Sequence, residues 1–261
     1  MSTIEAPLRG RVFLLTRSAE RCASLAAGLR ALGARVDTRP TVSVEPPADP
    51  RPARNAVALL SSYDWVVFTS VNGVRFFRAT CREVHGTARM PGPPSAAIGP
   101  ATARELETGG DRPAVVAAES HSEGLARALA GRIRSGERAL VVRPEVARPL
   151  LIQALRGMGV EAEPVAFYRN VPAPAVAAVA ADVCRGRYDA LVLTSPSSLE
   201  RLLEAAPDGR AQLEAALGRA RLIAIGPVTA RAVERAGLAP AAVAAAPTSE
   251  ALLESIRRLF A

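Results

Sequence analysis

The 261-residue sequence contains no lysine: all 33 of its basic residues are arginine, against 25 acidic residues, which gives a net charge of +8. Chemistry that requires a lysine, such as a Schiff base or a P-loop, is therefore excluded. Aromatic residues make up only 4% of the chain, and the arginines are scattered without a basic run or a zinc-finger spacing, so we expect no nucleic-acid partner. Two explanations of the arginine excess stay open: a composition bias of a GC-rich genome, or a polyanionic small-molecule partner.

Cysteine and histidine are also scarce. Cys22, Cys81 and Cys184 share no CxxC spacing, which fits buried thiols in a reducing cytosol. His85 and His121 lie far apart in the sequence without a metal-binding motif, so we expect neither a metal nor another cofactor. No run approaches about 18 apolar residues, and the N-terminal segment lacks the apolar core of a signal peptide. These absences favour a soluble, cytoplasmic protein with no membrane partner, and a monomer is the default expectation.

What the chain does contain is a pattern that occurs twice, with the copies about 126 residues apart. The segment 97–104 returns almost letter for letter at 224–231, each time as an apolar run, a Gly-Pro pair and Thr-Ala-Arg. Each copy predicts a strand, a tight turn and a helix with proline at its first position. The glycine is expected to let the backbone turn sharply and approach a ligand. The N–H groups at the start of the helix form a natural anion site.

Three further segments repeat in the same order along the chain. They are the strands followed by Arg17 and Arg143, the strands 63–70 and 188–195 that end in Thr-Ser, and the segments 120–125 and 247–252, where a serine is expected to cap a helix. We call equivalent positions of the two halves twins. Short apolar strands that alternate with helices predict an α/β fold of parallel sheets with helices on both faces. Ligands bind such sheets at the carboxyl ends of the strands.

Two extended segments bounded by prolines, at about 38–47 and 163–174, interrupt this pattern and suit linkers between two domains. If the chain simply repeats, the domain boundary falls near residue 136. If the chain crosses between domains at these segments, the domains are 1–37 with 172–261, and 41–168. Periodicity alone leaves both arrangements open.

The ordered set of motifs resembles the uroporphyrinogen-III synthase family. The resemblance covers nearly the whole chain and rests on FTSVNGV at 68–74, IGPxTA at 98–103, VxxY at 165–168, LTSPS at 193–197 and AIGPxTA at 224–230. It implies two flavodoxin-like or Rossmann-like parallel-sheet domains joined by a two-stranded linker, with the active site in the cleft between them. It also implies the crossed arrangement of the domains.

The resemblance further implies a lyase of tetrapyrrole and heme biosynthesis. Its substrate is hydroxymethylbilane, a linear tetrapyrrole with eight carboxylates. Loss of its hydroxyl group leaves an azafulvene, which the terminal ring attacks to give a spiro intermediate that recloses inverted as uroporphyrinogen III. Because the precursor closes without inversion when no enzyme is present, the protein must hold a flexible polyanion in one bent shape. The alternatives are a non-catalytic two-lobed ligand binder, a decayed synthase with a regulatory role, and a nucleotide-sugar transferase.

Tyr168 is the candidate catalytic residue. Tyr63 and Tyr188 are twins at strand entrances, whereas Tyr168 has no tyrosine twin, and the resemblance implies that its phenol helps the hydroxyl group leave. His121 stays outside the catalytic set because one exposed histidine, with Thr248 as its twin, is weak support. We expect strand-exit and helix-start residues of both halves to bind the substrate carboxylates: Arg17, Ser18, Thr69, Ser70, Asn72, Gly99, Thr102, Ser122, Arg143, Arg148, Ser195, Ser197, Gly226 and Thr229.

Overall fold

The computed structural model describes residues 6–88, 92–206 and 209–261. Within this described part, the chain divides into two compact units, one made of residues 6–43 with Val171–Ala261 and the other of Val44–Asn170. No helix of the described ranges is long and apolar enough to cross a membrane.

The first unit is built on one parallel sheet. Its strands are β1 (Val12–Leu15), β2 (Arg35–Thr38), β9 (Ala190–Leu193), β10 (Arg221–Ala224) and β11 (Pro240–Val243), in the order β11-β10-β9-β1-β2. Its helices are α1 (Ala19–Ala31), α7 (Val176–Cys184), α8 (Pro196–Glu204), α9 (Arg210–Arg219), α10 (Pro227–Arg235) and α11 (Ser249–Phe260). Renumbered within the unit, this is the flavodoxin-like strand order 2-1-3-4-5.

The second unit has the same spatial order with a different connectivity. Its strands are β4 (Trp65–Phe68), β5 (Ser95–Ala97), β6 (Val115–Val116), β7 (Arg138–Pro144) and β8 (Glu161–Pro172), with β3 (Val42–Glu45) beside β8 at one edge, in the order β3-β8-β7-β4-β5-β6. Its helices are α2 (Arg51–Ala58), α3 (Val71–His85), α4 (Pro100–Thr108), α5 (Ser122–Leu129) and α6 (Leu150–Gly157). The strands β7, β8 and β4 therefore take the places that β1, β2 and β9 take in the first unit.

Side chains of the central strands alternate between two apolar layers in each unit. In β4, Val66 and Phe68 join the layer under α3, whereas Trp65 and Val67 join the opposite layer. Strand β9 divides its four buried residues between two layers in the same way. Strands that are buried on both faces have helices on both faces, as parallel sheets require. The predicted α/β class with parallel sheets is confirmed.

The predicted serine caps of α5 and α11 are wrong by one residue. In α5 the cap is His121, whose Nδ1 accepts a hydrogen bond from the Gly124 N–H at 3.1 Å. In α11 the cap is Thr248, whose Oγ1 accepts from the Ala251 N–H at 3.2 Å. Ser122 is instead the first residue of its helix. His121 and Thr248 are thus twins with the same structural role, because either side chain presents an acceptor at the cap position.

The ion pairs of Asp182 in α7 are expected to make the stability of the first unit depend on acidic pH. Its carboxylate lies 2.5 Å from Arg39 Nη1, 3.1 Å from Arg185 Nη1 and 3.3 Å from Arg187 Nη1. The hydrogen bond from Arg39 is the main cause that lowers the pKa of Asp182 below its ordinary value. A lowered pKa in the folded state stabilises the protein above the unfolded-state pKa, and this stabilisation is lost as the pH falls through the folded-state pKa.

We therefore expect Asp182→Asn to be less stable than the unchanged protein at pH 7, with a difference that shrinks as the pH falls from about 5 towards 2. Urea unfolding across this pH range measures the difference. A difference that stays constant down to the lowest pH would show that the charge of Asp182 does not stabilise the unit.

Candidate functional site

In each sheet, two central strands end where the chain diverges to opposite sides. After β4 the chain continues to β5 and β6, whereas after β7 it continues to β8 on the other side. In the first unit β9 and β1 diverge in the same way. Ligands of such sheets bind outside the carboxyl ends of the strands at this switch point. The carboxyl edges at β4 and β7, and at β9 and β1, are therefore the candidate site regions.

A threonine hydroxyl joins the two diverging strands in each unit. Thr69 Oγ1 donates to the Val142 carbonyl oxygen at 2.8 Å, and Thr16 Oγ1 donates to the Val192 carbonyl oxygen at the same distance. Thr69 was predicted to bind substrate, and Thr16 holds the equivalent place directly after β1. Both hydroxyls hold the edges of the switch points together.

Tyr168 and Ser70, which were predicted separately, are in direct contact. The Tyr168 hydroxyl lies 2.9 Å from Ser70 Oγ, and Ser70 Oγ accepts the Gly73 N–H at 2.9 Å as the cap of α3. The tyrosine is 5% exposed, and its ring stacks on Phe76 with centroids 5.9 Å apart. The phenol is thus fixed by a ring on one helix and by the hydroxyl that begins that helix.

A β-bulge directs Tyr168 towards α3. Arg143 of β7 pairs with Ala166 of β8, but the next pair is Pro144 with Tyr168, which leaves Phe167 as an extra residue. Successive side chains of a regular strand point to opposite faces. Because of the bulge, the rings of both Phe167 and Tyr168 contact aromatic rings of α3. Bulges commonly redirect a side chain in this way next to active sites.

Arg143 holds the loop that follows its own strand. Its Nε donates to the Pro144 carbonyl oxygen at 3.2 Å, and its Nη2 donates to the carbonyl oxygens of Glu145 at 3.4 Å and Ala147 at 3.1 Å. We call residues 145–149, between β7 and α6, the β7–α6 loop. Arg143 was predicted to bind a substrate carboxylate, and in the structure its Nε and Nη2 donate to carbonyl groups of Pro144 and of this loop.

Three other predicted residues of the second unit lie around the same edge. Arg148 is exposed in the β7–α6 loop, just before α6 rather than in its first turn. The pKa of Glu123 is lowered by a hydrogen bond within its own residue and further by the charges of His121 and Arg148. Ser122 and Asn72 are half-buried in the first turns of α5 and α3.

The two Gly-Pro turns have the same backbone but different surroundings. The chain bends at Gly99 and Gly226 as predicted, but both have φ of 174°, which is extended backbone that any residue adopts, so the bend does not require glycine. A Cβ atom on Gly99 would lie 2.1 Å from Ser120 Oγ, whereas a Cβ atom on Gly226 would meet nothing within 4 Å. The following Thr102 and Thr229 are each 3% exposed, so the structure offers little of either side chain to a ligand.

Arg17 of the first unit differs from its twin Arg143. It is half-buried, and burial together with the charge of Arg21 lowers the pKa of its guanidinium. Within the described residues, this guanidinium has no hydrogen-bond or ion-pair partner. Ser18, the next residue, is the exposed N-cap position of α1. A carboxylate that approached Arg17 would stabilise its charged form.

Three serines gather at the start of α8. Ser195 Oγ lies 3.0 Å from the Oγ atoms of both Ser197 and Ser198. The buried Thr41, which follows β2, donates its hydroxyl to the Ser198 carbonyl oxygen at 3.1 Å. Thr41 thus corresponds to Tyr168 of the second unit, because each hydroxyl reaches the start of the helix at its switch point. The sequence repeat places the segment that begins at Thr41 opposite Tyr168, but it did not predict that the two hydroxyls have equivalent positions.

The helices that begin at these edges carry different charges in their first turns. The twins α3 and α8, the twins α4 and α10, and also α6 have no acidic residue there, whereas α1, α5 and α11 carry Glu20, Glu123 and Glu250. The positive ends of these five helix dipoles are thus uncompensated by acidic side chains of their own first turns, which suits an anionic ligand. The described residues contain no group of three His, Cys, Asp or Glu that could hold a metal ion.

A family profile described as "Uroporphyrinogen-III synthase HemD" matches residues 23–254, which is most of the chain. The chain belongs to the uroporphyrinogen-III synthase family. A protein of Methanothermobacter thermautotrophicus whose name refers to the same activity is 32% identical over 228 residues, which cover 86% of this chain and 89% of that protein. The uroporphyrinogen-III synthase of Synechococcus elongatus is 29% identical over 167 residues, which cover 64% of this chain and 63% of that protein.

Solved structures of the same family share the fold. A mutant uroporphyrinogen III synthase of the extreme thermophile Thermus thermophilus is 25% identical with a TM-score of 0.65, covering 96% of this chain and 98% of its own. The uroporphyrinogen-III synthetase of Helicobacter pylori is 18% identical with a TM-score of 0.63, covering 95% and 99%, and this likeness concerns the fold alone. The family and its relatives confirm the predicted function, the cyclisation of hydroxymethylbilane in tetrapyrrole biosynthesis. They do not favour the non-catalytic alternative.

Proposed function

We propose that this uroporphyrinogen-III synthase family member binds hydroxymethylbilane at the carboxyl edges of its sheets and uses Tyr168 in the chemical step. The observation that carries the proposal is the 2.9 Å contact between the Tyr168 hydroxyl and Ser70 Oγ at a switch point. The domains are 1–37 with 172–261, and 41–168, and the linkers are about 38–47 and 163–174. The protein acts as a cytoplasmic monomer without a nucleic-acid partner.

The substrate carboxylates meet backbone N–H groups at helix starts. The candidates are the first turns of α3, α4, α8 and α10, which lack acidic side chains, and the neighbouring Ser195, Ser197 and Asn72. Arg17 adds a cation in the first unit, and Arg148 adds one in the second. Many modest contacts of this kind hold a flexible polyanion in one shape, which is the requirement for inversion.

Tyr168 donates a proton to the hydroxyl group that leaves the first ring. Ser70 Oγ already accepts the Gly73 N–H, and either hydroxyl can be the donor in its 2.9 Å contact with the phenol. When the phenol proton is given to the leaving group, Ser70 Oγ donates its own hydroxyl proton to the phenol oxygen. This hydrogen bond stabilises the phenol oxygen as its proton moves to the departing water. The azafulvene then forms while the protein contacts to its carboxylates hold the chain of rings in a bent shape.

Freshly made hydroxymethylbilane, followed by separation of the oxidised products by isomer, tests the proposed function. The inverted isomer is the expected product, formed faster than spontaneous closure. Exclusive formation of the uninverted isomer at the spontaneous rate would show that the chain does not catalyse this reaction.

Arg17→Gln is expected to raise KM about tenfold, because a hydrogen bond to a charged group contributes about 1.5–3 kcal/mol. It should also weaken the dependence of KM on salt, since one screened charge pair is removed. Steady-state kinetics at several salt concentrations measure both effects. Arg219→Gln is the matched control, because this exposed arginine ends α9 at the amino ends of the strands. Equal effects of the two variants would mean that Arg17 acts only through net charge.

A further inference from the structure

The β7–α6 loop presents an apolar side chain to solvent although its backbone is held in place. Val146 at its tip is 89% exposed. Arg143 donates to loop carbonyl groups on both sides of Val146, at Glu145 and Ala147. The Glu145 carboxylate also accepts the Ala48 N–H at 2.5 Å. Ordering a loop costs conformational entropy. The hydrogen bonds from Arg143 and Ala48 offset this cost and hold Val146 at a fixed position.

The loop lies directly beside the candidate catalytic residue. It follows β7 at the switch point, and the Glu145 N–H donates to the Tyr168 carbonyl oxygen at 2.9 Å. Two residues beyond Val146, Arg148 is also exposed. The loop therefore carries an exposed apolar side chain and an exposed cation two residues apart, directly after β7 at the edge where the chemistry is proposed.

This combination matches the chemistry of one unit of the substrate. Each pyrrole ring of a tetrapyrrole with eight carboxylates has two apolar faces and carries carboxylate side chains. An exposed valine suits the ring face, because burying its methyl groups is favourable. The guanidinium of Arg148 suits a carboxylate on the same ring.

We propose, on the basis of the proposed function, that the β7–α6 loop is a preformed contact for one pyrrole ring of the substrate. Val146 packs on the ring face, and Arg148 binds a carboxylate of that ring. Arg143 is a positioning residue that holds the loop, rather than a carboxylate ligand as the sequence predicted. Its twin Arg17 keeps the carboxylate-binding role.

Val146→Ser tests the ring contact. We expect KM to rise about fivefold, because apolar contact area is lost, with an unchanged melting temperature and an unchanged salt dependence of KM. Leu59→Ser is the matched control, since Leu59 is also exposed, at 61%, but lies shortly before β4 at the amino ends of the strands. The control should change neither KM nor the melting temperature. If the original protein forms the inverted isomer but Val146→Ser has the same KM, this inference alone is overturned. If the original protein does not form the inverted isomer, the proposed function is overturned.

Arg143 and Arg148 are distinguished by salt dependence. Arg148→Gln should raise KM and weaken its salt dependence. Arg143→Ala should raise KM without weakening its salt dependence, and it should speed hydrogen exchange at the amides of residues 145–148. In this variant, an added Val146→Ser substitution should raise KM little further, because the loop is no longer held in place. Arg143→Lys should not rescue, because a lysine lacks the planar fork of donors. A weaker salt dependence in Arg143→Ala, without faster exchange, would show that Arg143 binds a carboxylate directly.

Discussion

Tyr168→Phe is expected to lower kcat about 100-fold, because a positioned proton donor contributes about 10²–10⁴-fold to such a step. The phenylalanine keeps the ring that stacks on Phe76 and loses only the hydroxyl near Ser70. The free energy of unfolding should therefore fall by no more than about 1 kcal/mol, the net contribution of one hydrogen bond. Single-turnover kinetics with hydroxymethylbilane and urea unfolding measure the two quantities.

Tyr63→Phe is the matched control for this prediction. Tyr63 is also buried in the second unit, and its hydroxyl donates to Glu163 Oε2 at 2.8 Å, but it lies before β4 at the amino ends of the strands. Burial and the Glu163 carboxylate raise the pKa of Tyr63, so its hydroxyl stays protonated as a structural donor. The control should lose stability without losing turnover. Turnover that is unchanged in Tyr168→Phe would assign Tyr168 a purely structural role.

The repeat in the sequence predicted much of the fold because each half places the same motifs at the same strand ends. The Thr-Ser pairs at 69–70 and 194–195 follow β4 and β9, which hold equivalent places in their sheets. Buried apolar runs of four residues are typical of such strands when turn residues bound them, since both faces are covered. The periodicity could not show which strand lies beside which, because that depends on contacts between segments distant in the sequence.

The candidate site was less predictable, because its geometry depends on local register. The contact between Tyr168 and Ser70 requires the bulge at Phe167, and no sequence period shows one unpaired residue in a strand. Arg17 and Arg143 are twins in sequence, yet they differ in their contacts. Arg143 donates hydrogen bonds to carbonyl groups of the loop that follows its strand, and in the part of the chain that the structure describes Arg17 does not. The caps at His121 and Thr248 differ from the prediction because any acceptor at the right backbone position can cap a helix.

Gly226→Ala is expected to lower kcat/KM by up to about 100-fold without destabilising the protein. Its backbone is extended and a Cβ atom there meets nothing within 4 Å, so neither conformation nor packing requires glycine. Replacing glycine by alanine at such a position commonly stabilises a protein by about 0.4–1 kcal/mol. If the substrate approaches the backbone at this turn, the methyl group displaces it, and a displacement of about 1 Å can cost about 100-fold in rate.

Gly99→Ala provides the contrast, because the same backbone here is packed against Ser120. A Cβ atom on Gly99 would lie 2.1 Å from Ser120 Oγ and 2.9 Å from Ser120 Cβ. Overpacking of this kind typically costs about 1–3 kcal/mol of stability. Adding Ser120→Gly removes both contacts and should restore most of the loss, which a double-mutant cycle of urea unfolding measures. A Gly226→Ala variant with unchanged kcat/KM would show that the substrate does not approach this turn closely, whatever the outcome at Gly99.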